Sequence, residues 1–148
     1  PKNATIVIDY AHTPDALEKA INSLKPHVKG RLYTLFGCGG NRDYEKRELM
    51  GKISFTNSDF TIITDDNPRN ESPKKIRKDI LKGCPNGTEI AGRDVAIKKT
   101  INILKENDFL LIAGKGHETT QTIGTESLPF DDLSVAKLSI KNLVDESK

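Results

Sequence analysis

The apolar positions of this chain alternate between short β-branched runs and longer segments that repeat with a helical period. Alternation of this kind is typical of a parallel sheet whose strands are joined by crossover helices. The pattern predicts strands at residues 5–10, 31–36, 60–64, 88–91 and 109–113, the fourth of them weak. It predicts helices at residues 14–24, 45–55, 73–82 and 95–105. Thr13-Pro14 and Ser72-Pro73 each place a capping hydroxyl before a first-turn proline.

Basic residues are concentrated in the third predicted helix. Ile76, Ile80 and Leu81 give this helix one apolar stripe. Its basic side chains are therefore expected to lie mostly on the solvent face: Lys74, Lys75, Arg77 and Lys78. We interpret the cluster as a solvated helix surface rather than a binding site.

The pattern changes after residue 113. Residues 121–128 predict two short strands around a Gly-Thr turn. A last helix at residues 132–144 is expected to bury Val135, Leu138 and Leu143. The predicted fold is one α/β domain over residues 1–148, Rossmann-like and doubly wound. It has a mostly parallel sheet, crossover helices and a C-terminal β-hairpin.

The composition narrows the classes of partner. Of the 148 residues, 35% are hydrophobic and 30% are charged, as in ordinary soluble proteins. The net charge of +2 comes from 23 basic and 21 acidic residues spread along the chain, so we expect no nucleic-acid partner. The longest apolar run, Phe109–Ala113, is too short to span a membrane. Cys38 and Cys84 lack paired metal-ligand spacing, so we expect free buried thiols in a reducing cytoplasm.

Polar residues and glycines are concentrated directly after four of the predicted strands. The carboxyl ends of parallel strands lie at one edge of a sheet, where α/β proteins bind their ligands. We therefore expect the four segments to form one site, and the third, with its carboxylates, amide and guanidinium, suits a small zwitterion. The segments are Asp9-Tyr10-Ala11-His12-Thr13-Pro14, Gly37-Cys38-Gly39-Gly40-Asn41-Arg42-Asp43, Asp65-Asp66-Asn67-Pro68-Arg69 and Gly114-Lys115-Gly116-His117-Glu118.

Each segment also has a simpler structural explanation. The glycines of the second segment suit a sharp turn as well as a phosphate contact, and Arg42 beside Asp43 suits a surface ion pair. Lys115 is compatible with a plain turn in which its side chain lies in solvent. His12 is compatible with a backbone hydrogen bond, and Asp9 with either a nucleotide ribose contact or a cap of the next turn.

In this order and spacing, the four segments resemble the C-terminal domain of the Mur ligases, and most closely the MurE branch. The resemblance covers nearly the whole chain. It implies an ATP-dependent, amide-bond-forming ligase that adds meso-2,6-diaminopimelate to UDP-N-acetylmuramoyl-L-alanyl-D-glutamate in peptidoglycan synthesis. In that reaction ATP converts the D-glutamyl carboxylate to an acyl phosphate, and the amine of the incoming amino acid displaces the phosphate.

The resemblance assigns most of the singled-out residues to the amino acid. Arg42 is implied to bind a substrate carboxylate, Gly114 to supply backbone contacts, and Glu118 to pair with an ammonium. A guanidinium holds a carboxylate through two parallel hydrogen bonds, and one carboxylate distinguishes diaminopimelate from lysine. The residues implied to bind meso-diaminopimelate are Arg42, Asp66, Asn67, Pro68, Arg69, Gly114 and Glu118.

The resemblance places ATP chemistry largely outside these residues. Asp9 and His12 are implied to face ATP, and no residue is assigned to catalysis or to a metal. The 148 residues contain no Gly-x-x-x-x-Gly-Lys-Ser/Thr loop, the usual cradle for ATP phosphates and Mg²⁺. ATP and Mg²⁺ are therefore expected to bind mainly to a central domain, and the UDP-sugar to an N-terminal domain, both absent from this sequence. We expect the chain alone to be inactive.

Other functions fit parts of the same pattern. A lysine-adding ligase of the same family carries related segments. A stand-alone, non-catalytic module that binds an amino acid or a nucleotide would also place polar loops at one sheet edge. A relative of folylpolyglutamate synthetase is a third alternative, against which the Asp-Asn-Pro-Arg stretch argues.

Overall fold

Among the residues that the structure describes, 3–41 and 44–146, five parallel strands form the central sheet. In this computed structural model they are β1 (Thr5–Asp9), β2 (Leu32–Phe36), β3 (Phe60–Ile63), β4 (Thr88–Glu89) and β5 (Phe109–Ala113). Their order across the sheet is β1-β5-β2-β3-β4. The chain inserts β5 between β1 and β2, and the carboxyl ends of the strands meet at one edge.

Helices cover both faces of this sheet. They are α1 (Pro14–Leu24), α2 (Glu45–Asn57), α3 (Pro73–Leu81), α4 (Arg93–Ile103) and α5 (Asp132–Glu146), with a 3-10 turn at Lys25–His27. In β5, Leu111 packs with α1, α2 and α3, whereas Leu110 and Ile112 pack with α4 and α5. Successive strand residues point to opposite faces, so a run that is apolar throughout fits a sheet covered on both sides. The doubly wound α/β fold is confirmed.

The observed elements begin and end within two residues of the predicted boundaries. Both predicted caps form, since Thr13 accepts a hydrogen bond from the Ala16 N–H at 3.2 Å and Ser72 accepts one from Lys75 at 3.4 Å. Helix α4 begins at Arg93, two residues before the predicted start at residue 95.

Two predicted side-chain positions are wrong. Arg77 was expected in solvent, but it is buried and binds Asp65 and Glu89 between α3 and the sheet edge. Leu138 was expected in the core, but it is 58% exposed, and Ala136 is a buried hydrophobic residue of that helix. The apolar stripe of the helix and the charge of Arg77 led to the expectation that it lies in solvent. In the folded chain its partners Asp65 and Glu89, at the ends of β3 and β4, stabilise the buried guanidinium.

A separate hairpin lies beyond the main sheet. Its strands, β6 (Thr120–Ile123) and β7 (Glu126–Pro129), are antiparallel, as predicted. Ile123 forms an isolated parallel bridge with Arg69, so the hairpin packs along the loop that follows β3. None of the helices in the described part of the chain has the length and apolar character needed to cross a membrane.

Candidate functional site

A cavity of about 460 Å³ opens at the carboxyl edge of the sheet. All four polar segments contribute to its wall, so the expected convergence of the loops occurs. Six of the residues singled out in the sequence line it: His12, Asp66, Asn67, Arg69, Gly114 and Glu118. Carboxylates and a guanidinium therefore share one concave surface, which suits a small ligand that carries both signs of charge.

Of the three other predicted site residues, two do not line this cavity and one is not among the described residues. Pro68 lines a neighbouring groove, and its carbonyl lies so close to Gly40 that a Cβ there would collide with it. The Asp9 carboxylate accepts a hydrogen bond from the Ala11 N–H at 2.8 Å, so it caps the turn after β1. Arg42 lies outside the described residues. The ATP-facing roles of Asp9 and His12 stay predictions.

The His12 side chain lies at the mouth of the cavity and is exposed. Its Nδ1 lies 3.0 Å from the Tyr10 carbonyl oxygen, and the two rings meet edge to face with centroids 4.6 Å apart. The Lys46 ammonium donates to the His12 carbonyl at 3.0 Å. The simpler explanation for His12, a backbone hydrogen bond, is thus present in the structure.

Arg69 is held by contacts on both its side chain and its backbone. It adopts a φ of 52°, in the left-handed region that residues other than glycine occupy uncommonly. Its Nη1 donates to the carbonyl of Gly40 at 3.0 Å, which links the third segment to the second. The backbone N–H of Arg69 donates to the Thr122 carbonyl at 3.1 Å, and its carbonyl accepts from Gly124 at 2.6 Å. The hairpin therefore fixes the direction in which this guanidinium leaves the loop.

Lys115 is fully buried, so the interpretation that placed it in solvent is wrong. Its ammonium donates to Asn67 Oδ1 at 3.0 Å and to the Thr120 carbonyl at 2.9 Å. The same nitrogen lies 3.1 Å from Asp66 Oδ1 and 3.7 Å from Glu118 Oε1. The ammonium–Asp66 contact is an ion pair at a distance typical of hydrogen bonds but without their geometry, and Asp66 Oδ1 accepts no hydrogen bond from the described residues.

Sequence reasoning also missed Arg47, which links the second segment to Glu71, just after the third segment, and to Asp79 of α3. Its guanidinium donates to the Gly39 carbonyl at 3.0 Å, to Glu71 at 2.9 Å and to Asp79 at 3.0 Å. Glu71 in turn accepts from the Asn41 N–H at 2.9 Å. In the structure Arg47 shares one buried face of α2 with Met50, Gly51 and Ser54, but its charge gave no indication of that burial in the sequence.

Similarity to known proteins agrees with this geometry. The family model described as "Mur ligase, glutamate ligase domain" matches residues 1–116 of the chain. The chain belongs to the Mur ligase family. The match covers the strands that carry all four loops, and it ends at Gly116, in the last of the four segments.

Individual relatives of this Mur ligase chain extend the match. The UDP-N-acetylmuramoyl-L-alanyl-D-glutamate--2,6-diaminopimelate ligase of Rickettsia montanensis is 55% identical over 144 residues, which are 94% of this chain and 30% of that protein. A solved structure of a ligase with the same name is 39% identical, with a TM-score of 0.93. The matched region covers 97% of this chain and 30% of the chain in that structure. This chain therefore spans about 30% of the length of these relatives.

The folylpolyglutamate synthase/dihydrofolate synthase of Yersinia pestis is more distant. The matched region covers 93% of this chain and 28% of the synthase chain, with a TM-score of 0.60. Only 14% of the residues are identical. That likeness extends to the fold alone. The alternative of a folylpolyglutamate synthetase relative is therefore not favoured.

A buried ion pair of this Mur ligase chain connects α4 and α5 to the ends of β3 and β5. Arg93 donates to both carboxylate oxygens of Asp132 at 2.7 Å, and neither side chain is exposed. Arg93 also donates to the Ala113 carbonyl at 2.9 Å and to the Asp65 carbonyl at 3.2 Å, at the ends of β5 and β3. Burial lowers the pKa of Arg93, but the hydrogen bonds and charge of Asp132 outweigh it and raise that pKa. The Arg93 guanidinium is therefore held in its charged form, and the pair holds the two strand ends in place.

The described residues around the cavity include neither a reactive thiol nor a cluster of metal ligands. Cys38 lines it, but the thiol is buried against Met50, and burial raises its pKa to about 12. Both cysteines are free and buried, as predicted. Among the described residues, no group of three histidine, cysteine, aspartate or glutamate side chains is placed to hold a metal ion.

Proposed function

We propose that this chain is the domain of a Mur ligase that binds meso-2,6-diaminopimelate and orients it for addition to UDP-N-acetylmuramoyl-L-alanyl-D-glutamate. One observation carries the proposal: Arg69 shares a cavity with the carboxylates of Asp66 and Glu118. A ligand with two carboxylates and two ammonium groups matches such a mixed lining. The relatives' names, which specify a 2,6-diaminopimelate ligase, support it.

Arg69 is the group best suited to recognise the second carboxylate. Its Nη1 is engaged by the carbonyls of Gly40 and Asn67, at 3.0 Å and 3.4 Å. Nε and Nη2 make no hydrogen bond to any residue in the described ranges, so two donors remain for a bidentate contact. Lysine, which lacks that carboxylate, would leave these donors unpaired at a cost in affinity.

Glu118 and Asp66 are the acceptors for the substrate ammonium groups. The Glu118 side chain is 40% exposed, which leaves its second oxygen accessible from the cavity. A bound amine must be deprotonated and aimed at an activated carboxyl group, so its position governs the rate. The domain contributes to the reaction by holding that amine in a defined place.

The remaining chemistry requires parts of the enzyme beyond these residues. ATP supplies the phosphoryl group that activates the D-glutamyl carboxylate in the cytoplasmic reaction that we propose. The described residues offer neither a phosphate-binding loop nor a metal cluster, so they do not fit ATP and Mg²⁺ on their own. We therefore assign ATP, Mg²⁺ and the nucleotide precursor mainly to other domains of the ligase, and expect this chain alone to be inactive.

Steady-state kinetics of the full-length ligase test the proposal. Arg69→Ala should raise the KM for diaminopimelate by the equivalent of about 2–5 kcal/mol, because a desolvated charged contact is lost. The KM for ATP should change much less. Lys19→Ala is the matched control, since Lys19 pairs with Asp15 on the exposed face of α1. Equal increases in the two KM values would contradict the recognition role of Arg69.

A further inference from the structure

Lys115 has no part in the function proposed above, yet its buried ammonium contacts residues that line the cavity. No part of its side chain is exposed, and four oxygens surround its ammonium within 3.7 Å. Three of them belong to residues that line the cavity: Asp66, Asn67 and Glu118. Burying an ammonium is costly unless its partners are well placed, so the arrangement needs a reason.

The first consequence of this arrangement is the orientation of the Asn67 amide. Its Oδ1 accepts both from the Lys115 ammonium at 3.0 Å and from the Thr122 N–H at 2.9 Å. An amide whose oxygen faces two donors has a defined orientation, which leaves its NH₂ as the group available to a ligand. Nδ2 makes no hydrogen bond to a described residue, so Asn67 offers the cavity a donor that suits a carboxylate.

The second consequence is the net charge of the cluster. Asp66 and Glu118 carry one negative charge each when ionised, and Lys115 carries one positive charge, so the three together carry one negative charge. Without Lys115 the same cluster would carry two. A more negative wall attracts a cationic amino acid such as lysine and disfavours a second carboxylate, so the buried ammonium shifts selectivity toward a dicarboxylic ligand.

We propose that Lys115 is a positioning residue that sets the preference of this site for a diamino acid with two carboxylates over one with a single carboxylate. It does so by orienting the Asn67 amide and by neutralising one of the two carboxylates in the wall. The inference rests on the proposed function, because it concerns the selectivity of the same cavity.

Lys115→Met in the full-length ligase tests the inference, since methionine keeps an unbranched side chain of nearly the same length and removes the charge. The KM for diaminopimelate should rise by about tenfold, the effect of losing one buried unit charge nearby, while kcat changes less. L-lysine, measured as a competitive inhibitor against diaminopimelate, should keep its inhibition constant or bind more tightly. Lys115→Arg keeps the charge. It should therefore retain the wild-type ratio of the KM for diaminopimelate to the inhibition constant of L-lysine.

Controls separate this role from a purely structural one. Lys19→Met, in the exposed pair with Asp15, should leave both constants unchanged. If Lys115→Met fails to fold in a thermal melt, Lys115→Gln removes the same charge but keeps a hydrogen-bond donor. Equal weakening of diaminopimelate, lysine and ATP by these variants would overturn the inference. A wild-type ligase that does not use diaminopimelate would instead overturn the proposed function.

Discussion

The Arg93 guanidinium and the Asp132 carboxylate form two hydrogen bonds of 2.7 Å each, and neither side chain is exposed. The pair joins the first turn of α4 to the first turn of α5. Through two further hydrogen bonds Arg93 also reaches the carbonyls of Asp65 and Ala113. One ion pair thus links two helices to the strand ends that carry the third and fourth loops.

Arg93→Met should lower the free energy of unfolding by about 3–5 kcal/mol, because it leaves Asp132 buried and uncompensated. Urea denaturation of the chain measures the loss. Arg93→Met/Asp132→Leu should be less destabilised than the single variant, since no unpaired charge remains. Lys19→Met, which breaks an exposed pair, should cost no more than about 1 kcal/mol. Similar losses for the two single variants would contradict the importance of burial.

The free energy of unfolding should fall in acid because Arg47 binds two carboxylates, those of Glu71 and Asp79. Burial raises the pKa of Glu71, but hydrogen bonds from the Asn41 N–H and from Arg47 outweigh it, so the pKa is lowered. Burial likewise opposes the lowering of the Asp79 pKa, which hydrogen bonds from Arg47 and Lys75 produce. A carboxyl group with a lowered pKa stabilises the fold above its unfolded pKa, and that contribution is lost as the pH falls through the folded value.

The free energy of unfolding should therefore decline as the pH drops below about 4.5, the ordinary glutamate value. Urea titrations across that range measure the slope. Glu71→Gln/Asp79→Asn, which removes both titrating groups, should be less stable at pH 7 and should show a shallower decline in acid. An identical slope in this variant and in the wild-type chain would assign the acid sensitivity to other carboxylates.

Cys38 should be inert to alkylation although it lines the cavity. Burial raises the pKa of its thiol to about 12, so almost none is thiolate at pH 8, and the thiolate is the reactive form. Mass spectrometry after iodoacetamide treatment at pH 8 should find Cys38 and Cys84 unmodified in the folded chain and both modified in urea. Rapid labelling of Cys38 in the native chain would show that the cavity opens further than the structure indicates.

Gly40→Ala and Gly124→Ala should have different effects for different reasons. A Cβ at Gly40 would collide with the Pro68 carbonyl, whereas a Cβ at Gly124 would have no neighbour within 4 Å but sits at a φ of 62°. We expect about 1–3 kcal/mol of destabilisation from overpacking at Gly40, with a raised KM for diaminopimelate in the full-length ligase. Gly124→Ala should cost about 1–2 kcal/mol through its backbone conformation. The KM of Gly124→Ala for diaminopimelate should be closer to the wild-type value, because the second and third segments stay in contact.

Sequence patterns predicted the scaffold of this site but not its buried charges. The convergence of His12, Asp66, Asn67, Arg69 and Glu118 on one cavity followed from their positions after parallel strands. Lys115 was left between two interpretations, and Arg77 was placed in solvent, because a charged side chain has no local signal for burial. Whether such a side chain is buried depends on partners such as Asn67 and Asp65, which lie 48 and 12 residues away in the chain.

The sequence by itself determined the order of strands and helices, the edge at which the polar segments meet, and the resemblance to a Mur ligase domain. These features follow from local periodicity and from the rule that parallel strands share one carboxyl edge. The tertiary structure alone decided that Lys115, Arg47 and Arg93 are buried and which oxygens they bind. The physical reason is that burial of a charge is stable only when several distant acceptors surround it, and that arrangement exists only in the folded chain.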